Sequence, residues 1–262
     1  MDIFKYLDIF YNNFNGGKGV IGKSVNGLPI YYFKVQKSNY PKLIIQASIH
    51  AREYITTYLT LKLIKDFSSN GKVGTVYFVP MLNPDGVKIC LKENPLYKAN
   101  ARGVDLNVNF DARYGSGEKN VFCKASENYV GEHAFSEPES IAIRDFTLKV
   151  MPDATISYHS KGQEIYYEFF QDEFGSKRDC ALAEKVAKVT GYAIKSTPNS
   201  AGGYKDWCIE KLKIPALTIE VGNDDLTHPI GEEHLVEIYK QNRKVIKVVT
   251  DYLTEIKCKK NL

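Results

Sequence analysis

The chain has 262 residues, a formal net charge of +4 and an apolar fraction of 44%. That length suits one large domain, residues 1–262, and its 18 Tyr and 13 Phe are enough for a sizeable core. The mild charge permits an anionic substrate without calling for nucleic acid, and no run is apolar and long enough to span a membrane.

Residues 1–8 place Asp2 and Asp8 among apolar residues and offer no small-residue cleavage site, so they do not read as an export signal. A cytoplasmic location is the expectation. The five cysteines are odd in number and lack C-x-x-C spacing, which suits reduced thiols there. The basic tail at 257–260 reads as a solvated terminus.

Taken along the chain, β-rich apolar runs at 30–35, 43–49, 75–81, 155–158 and 216–221 read as strands. Helical spacing marks 52–67, through Ile55, Leu59, Leu63 and Phe67, and then 137–150, 178–190 and 232–256. Ser136 and Glu139 form a capping-box pattern before the second of these helices, with Pro138 early in it, where a missing N–H costs little. Gly191 suits the end of the third. Leu235, Ile238, Val245, Val249 and Leu253 stripe the last helix and are expected to pack on the sheet. The alternation predicts an α/β sandwich with a largely parallel sheet. Residues 83–135 are rich in Gly, Asn and charge, and irregular stretches of that size usually serve function.

His50-Ala51-Arg52-Glu53 lies where the strand 43–49 gives way to a helix. An imidazole and a carboxylate at that spacing can hold one zinc ion and leave room for a third ligand and a water. The spacing alone recurs by chance, and a lone histidine is more often a satisfied structural residue. Segments further along the chain add weight. Asn83-Pro84-Asp85-Gly86 is a turn signal behind the strand 75–81. Gly103-Val104-Asp105-Leu106-Asn107 comes next, then His159 at a strand end. Glu220 closes an apolar run preceded by Gly202-Gly203-Tyr204-Lys205-Asp206-Trp207.

These motifs, in this order, resemble the zinc carboxypeptidases over roughly residues 20–255. The resemblance implies a three-layer α/β/α sandwich around a mixed, largely parallel sheet of roughly eight strands. It also implies a metallopeptidase holding one Zn²⁺ on His50, Glu53 and His159, with Glu220 as the base that assists attack by a zinc-bound water. Asp105 corresponds to the carboxylate that orients the first ligand histidine, although a plain turn-forming role is open to it. Lys98 stands where the family usually has an oxyanion-stabilising arginine, with Arg102 as the substitute, and Asn107 corresponds to a contact for the substrate's terminal carboxylate.

Departures narrow the resemblance. Val108 replaces the arginine that clamps the C-terminal carboxylate in the carboxypeptidase A type, and Pro198 replaces its mobile tyrosine. The runs around 97–107 and 202–207 are closer to bacterial γ-D-glutamyl-diaminopimelate peptidases, which cut peptidoglycan stem peptides between D-glutamate and meso-diaminopimelate. In that branch Arg52, Arg113 and Lys205 are candidate carboxylate contacts, Lys205 at the base of the specificity pocket. The expected partner is a muropeptide or peptide, bound by a monomer or weak oligomer that reaches the wall by lysis or a non-standard export route if it acts there. The alternatives are a cytoplasmic carboxypeptidase for ordinary peptides, a non-catalytic binder of wall peptides, and a zinc deacylase.

Overall fold

The computed structural model describes residues 2–124 and 127–260. The elements are α1 (Ile3–Asn13), β1 (Gly17–Lys23), β2 (Pro29–Gln36), β3 (Lys42–Ala47), α2 (Ile55–Asn70), β4 (Thr75–Val79) and α3 (Pro84–Lys92). Next come α4 (Pro138–Val150), β5 (Ala154–Ser160), β6 (Glu164–Tyr166), α5 (Glu173–Thr190), β7 (Ala193–Ile194), α6 (Tyr204–Leu212), β8 (Ala216–Val221), α7 (Leu235–Asn242) and α8 (Val245–Lys260).

The strands form one 8-stranded sheet in the order β1-β2-β4-β3-β5-β8-β6-β7. Its centre, β4-β3-β5-β8, is parallel, while β1, β2 and β6 join antiparallel. Successive strand side chains face opposite sides. Leu43, Ile45 and Ala47 of β3 therefore enter one core with α2, α5, α7 and α8, while Ile44 enters a second with α4 and α6. Two apolar layers thus flank the sheet, which makes the sandwich.

Several local expectations are corrected. Asn83-Pro84-Asp85-Gly86 is a helix start, not a free turn: the Asn83 side chain accepts from Gly86 N, and Pro84 takes the first position of α3. The capping box does not form. Glu139 instead accepts from Val25 N and Asn100, and Ser136 donates to Glu137. The predicted last helix divides into α7 and α8, with the break at 243–244. Its stripe is buried at Ile238, Val245, Val249 and Leu253, with α8 against α5 and α7 against α2. The basic tail is solvated as expected, with Lys257, Cys258 and Lys259 exposed, but it is ordered as the last turn of α8, and Lys257 stacks over Tyr40.

Candidate active site

β3, β5 and β8 are adjacent and parallel, so their carboxyl ends open on one edge. In open α/β sheets that edge is where ligands bind. His159 lies near the end of β5, directly paired with Glu220 of β8. Paired positions on neighbouring strands put their side chains on one face. His50 lies just beyond β3, in a short loop that local bonds hold in place. Ser48, at φ 51°, hydrogen-bonds the hydroxyls of Thr56 and Thr57 at the start of α2. The Asn83 amide donates to Ile49 O and Ala99 O, stitching the His50 loop to the segment that carries Lys98. Ala51 and Glu53 belong to a 3-10 turn before α2, not to that helix, which swings the carboxylate back toward the strand ends.

The result is a convergence of donors. His50 Nδ1 lies 2.9 Å from Glu53 Oε1, His159 Nδ1 lies 3.1 Å from Glu53 Oε2, and the two Nδ1 atoms are 3.2 Å apart. One donor atom from each residue falls within 4.8 Å of the others, and all are buried. Ligands about 2.1 Å from a tetrahedral zinc ion stand roughly 3.4 Å apart, so the donor set fits that ion.

Asp105 fixes the orientation. Its Oδ1 accepts from His50 Nε2 at 3.2 Å and from Asn107 N at 3.0 Å, and its Oδ2 pairs with Lys98 Nζ at 2.7 Å. The turn-forming and histidine-orienting roles coexist in one carboxylate. An ionised carboxylate only accepts, so Nε2 carries the hydrogen and Nδ1 is left to face the metal position. Asp105→Asn keeps the turn contact but weakens this acceptor. We expect zinc affinity to drop by about 10–100-fold in chelator competition, and unchanged affinity would reduce Asp105 to its turn role.

The same contacts shift how these groups titrate. Burial lowers the His50 pKa and Lys98 opposes its charge, yet Glu53 and Asp105 raise it to about 9. Burial also opposes the Glu53 and Asp105 charges. The two imidazoles nonetheless hold Glu53 well below the carboxylate range, and Lys98 and His50 do the same for Asp105. Glu220 moves the other way: burial of its carboxyl, then Glu53, raise it well above its ordinary value. Glu164, its partner across β6, adds to the rise.

A cleft of about 350 Å³ opens beside His50, with Lys98, Asn107 and Val108 in its wall. Lys98 is committed to Asp105 and also donates to Asn128 at 3.0 Å. Arg102 turns away to Glu137. Asn107 Oδ1 accepts from Tyr204 N. Arg52 pairs with Glu127 at 3.2 Å. Arg113 and Lys205 do not line this cleft. Arg113 stacks 3.4 Å over Phe170 and pairs with Glu210. Lys205 is buried, donating to Asp206 at 2.6 Å and Glu168 O at 2.7 Å. Gly202, at φ 88°, lies so close to Val108 that a Cβ would meet its carbonyl at 2.8 Å. Sequence reading missed Asn128 and the 117–120 turn, since only long-range contacts bring them to the cleft.

Known proteins resemble this chain in sequence or in fold. γ-D-Glutamyl-L-diamino acid endopeptidase 1 of Lysinibacillus sphaericus is 29% identical over 81% of this chain, which spans 62% of that protein. Carboxypeptidase B of Helicoverpa zea is 31% identical over 87% of this chain and 59% of its own. Bovine thrombin-activatable fibrinolysis inhibitor, solved with tick carboxypeptidase inhibitor, superposes with a TM-score of 0.86 at 23% identity, covering 97% of this chain and 96% of that one. Murein-tripeptide amidase MpaA from Escherichia coli O157 does so with a TM-score of 0.64 at 22% identity, covering 92% and 94%. Residues 18–245 match the zinc carboxypeptidase family, and the chain belongs to it.

Proposed function

We propose that this protein is a zinc metallopeptidase that hydrolyses the bond between γ-D-Glu and meso-diaminopimelate in peptidoglycan stem peptides. One observation carries the reading: a complete His50, Glu53, His159 and Glu220 set stands beside a cleft walled in part by Val108, at the position where the resemblance puts a carboxylate-clamping arginine. The name of the Lysinibacillus relative supports the same substrate class.

His50 Nδ1, His159 Nδ1 and the Glu53 carboxylate would hold the zinc ion. When bound, it supplies Lewis acidity and makes water nucleophilic near neutral pH. Glu220 takes the proton from the attacking water and returns it to the leaving nitrogen, and burial of its carboxyl beside Glu53 raises its basicity. Lys98 lends its ammonium to the developing oxyanion while holding Asp105. Asn107 lines the cleft and is the substrate contact we retain, while Arg52 lies outside its wall and is paired with Glu127. Arg113 and Lys205 already have internal partners, so they are weaker candidates.

The linkage tests this reading. Rates on L-Ala-γ-D-Glu-meso-diaminopimelate should exceed those on its α-linked isomer, and equal or reversed rates would contradict it. Val108→Arg should raise kcat/KM on hippuryl-Phe by about tenfold, because a bidentate arginine supplies the missing clamp. No gain would show that Val108 is not what excludes such substrates.

A further inference from the structure

The cleft beside His50 ends on a short turn at residues 117–120. Both flanks of this turn are anchored. Glu118 N donates to Asn199 O at 2.9 Å, and Asn199 Nδ2 donates to Glu118 Oε2 at 2.7 Å. Asn120 Nδ2 donates to Ala201 O at 3.4 Å, and Asn120 N to Gly117 O at 2.9 Å. The backbone of Lys119 is thereby held against the opposite wall, while its side chain is exposed.

Among the described residues lining the cleft, the cations are Lys98 and Lys119. Lys98 holds Asp105 and is the residue assigned to the developing oxyanion. Lys119 makes no ion pair with any described residue. Val108, in the same wall, offers no charge. Asn107 spends its oxygen on Tyr204 N, and its amide nitrogen has no partner among the described residues. One uncommitted ammonium and one uncommitted amide therefore share a cleft that begins at a metal-site histidine.

The geometry points to Lys119 as the residue that binds a carboxylate of the leaving residue, aided by the Asn107 amide. This rests on the peptidase reading of the site. A leaving diaminopimelate carries two such groups, its α-carboxylate and the carboxylate at the far end of its side chain. Glu118, beside Lys119 in the same wall, offers a carboxylate to the ammonium group that a diamino acid also carries.

The test uses the zinc-loaded full chain with Lys119→Met and Lys119→Arg. The substrates are the γ-linked tripeptide, its α-carboxamide, its L-Lys analogue and hippuryl-Phe. Lys119→Met should raise KM on the tripeptide by about tenfold with a far smaller change in kcat, and Lys119→Arg should restore it. If the carboxamide is the substrate insensitive to Lys119→Met, the α-carboxylate is the bound group. If the L-Lys analogue is, the side-chain carboxylate is. In parallel, the calorimetric Kd for free meso-diaminopimelate should weaken by about tenfold in Lys119→Met. KM and Kd both unchanged in Lys119→Met would overturn the assignment. Turnover of hippuryl-Phe alone would refute the cell-wall substrate, and the KM response on that peptide, which also leaves with a carboxylate, would still decide Lys119.

Discussion

Glu220→Gln should bind zinc as the wild type does and lose roughly 10³-fold in kcat on any substrate the enzyme turns over. The substitution is nearly isosteric and sits at a partly exposed strand end, so the sheet loses no packing. His50, Glu53 and His159 converge without help from Glu220, so zinc content should not move. What disappears is the group that accepts and returns the proton. Retention of most activity would remove Glu220 from the role of base. Loss of zinc together with activity would make it part of the metal site instead.

His159→Ala should abolish both zinc binding and turnover. The imidazole is buried at the end of β5, its Nδ1 is 3.1 Å from Glu53, and beyond His50 no further histidine among the described residues joins the cluster. Losing the supporting partner of a ligand costs about 10–100-fold in affinity, so losing a direct donor should cost more than about 10³-fold. The smaller side chain also leaves a buried void, so thermal stability should be compared in both zinc-free proteins. An equal melting temperature with lost zinc would isolate the metal effect. Zinc content of the purified protein, measured by atomic emission, checks this directly. Near-stoichiometric zinc in the variant would contradict the assigned ligand set.

The central strands and the convergence of His50, Glu53 and His159 were legible because they sit on the strongest signals of an α/β chain. β8 matches its predicted bounds, and β3 and β5 are displaced only at their ends. His50, His159 and Glu220 were read at or just past strand ends, where the parallel sheet puts ligand-binding groups. Much of the rest was hidden because its partners are distant in sequence. Glu139 looked like a local cap, yet it bonds Val25, 114 residues away. α6 begins at Tyr204 within a run read for a lysine at the pocket base, and the Lys205 charge is consumed internally by Asp206. Short strands such as β6 and β7 carry too few residues for a period to show. α7 and α8 share one apolar stripe, so the break between them left no mark in the pattern. Lys119 had no local signal. Only the bonds of its flanking residues to Asn199 and Ala201 place it on the cleft.

The most direct measurement is digestion of L-Ala-γ-D-Glu-meso-diaminopimelate by the zinc-loaded protein, with hippuryl-Phe in parallel, read by mass spectrometry. Release of diaminopimelate with little or no cleavage of hippuryl-Phe is the expected result. Cleavage of hippuryl-Phe alone, or of neither peptide, would contradict it.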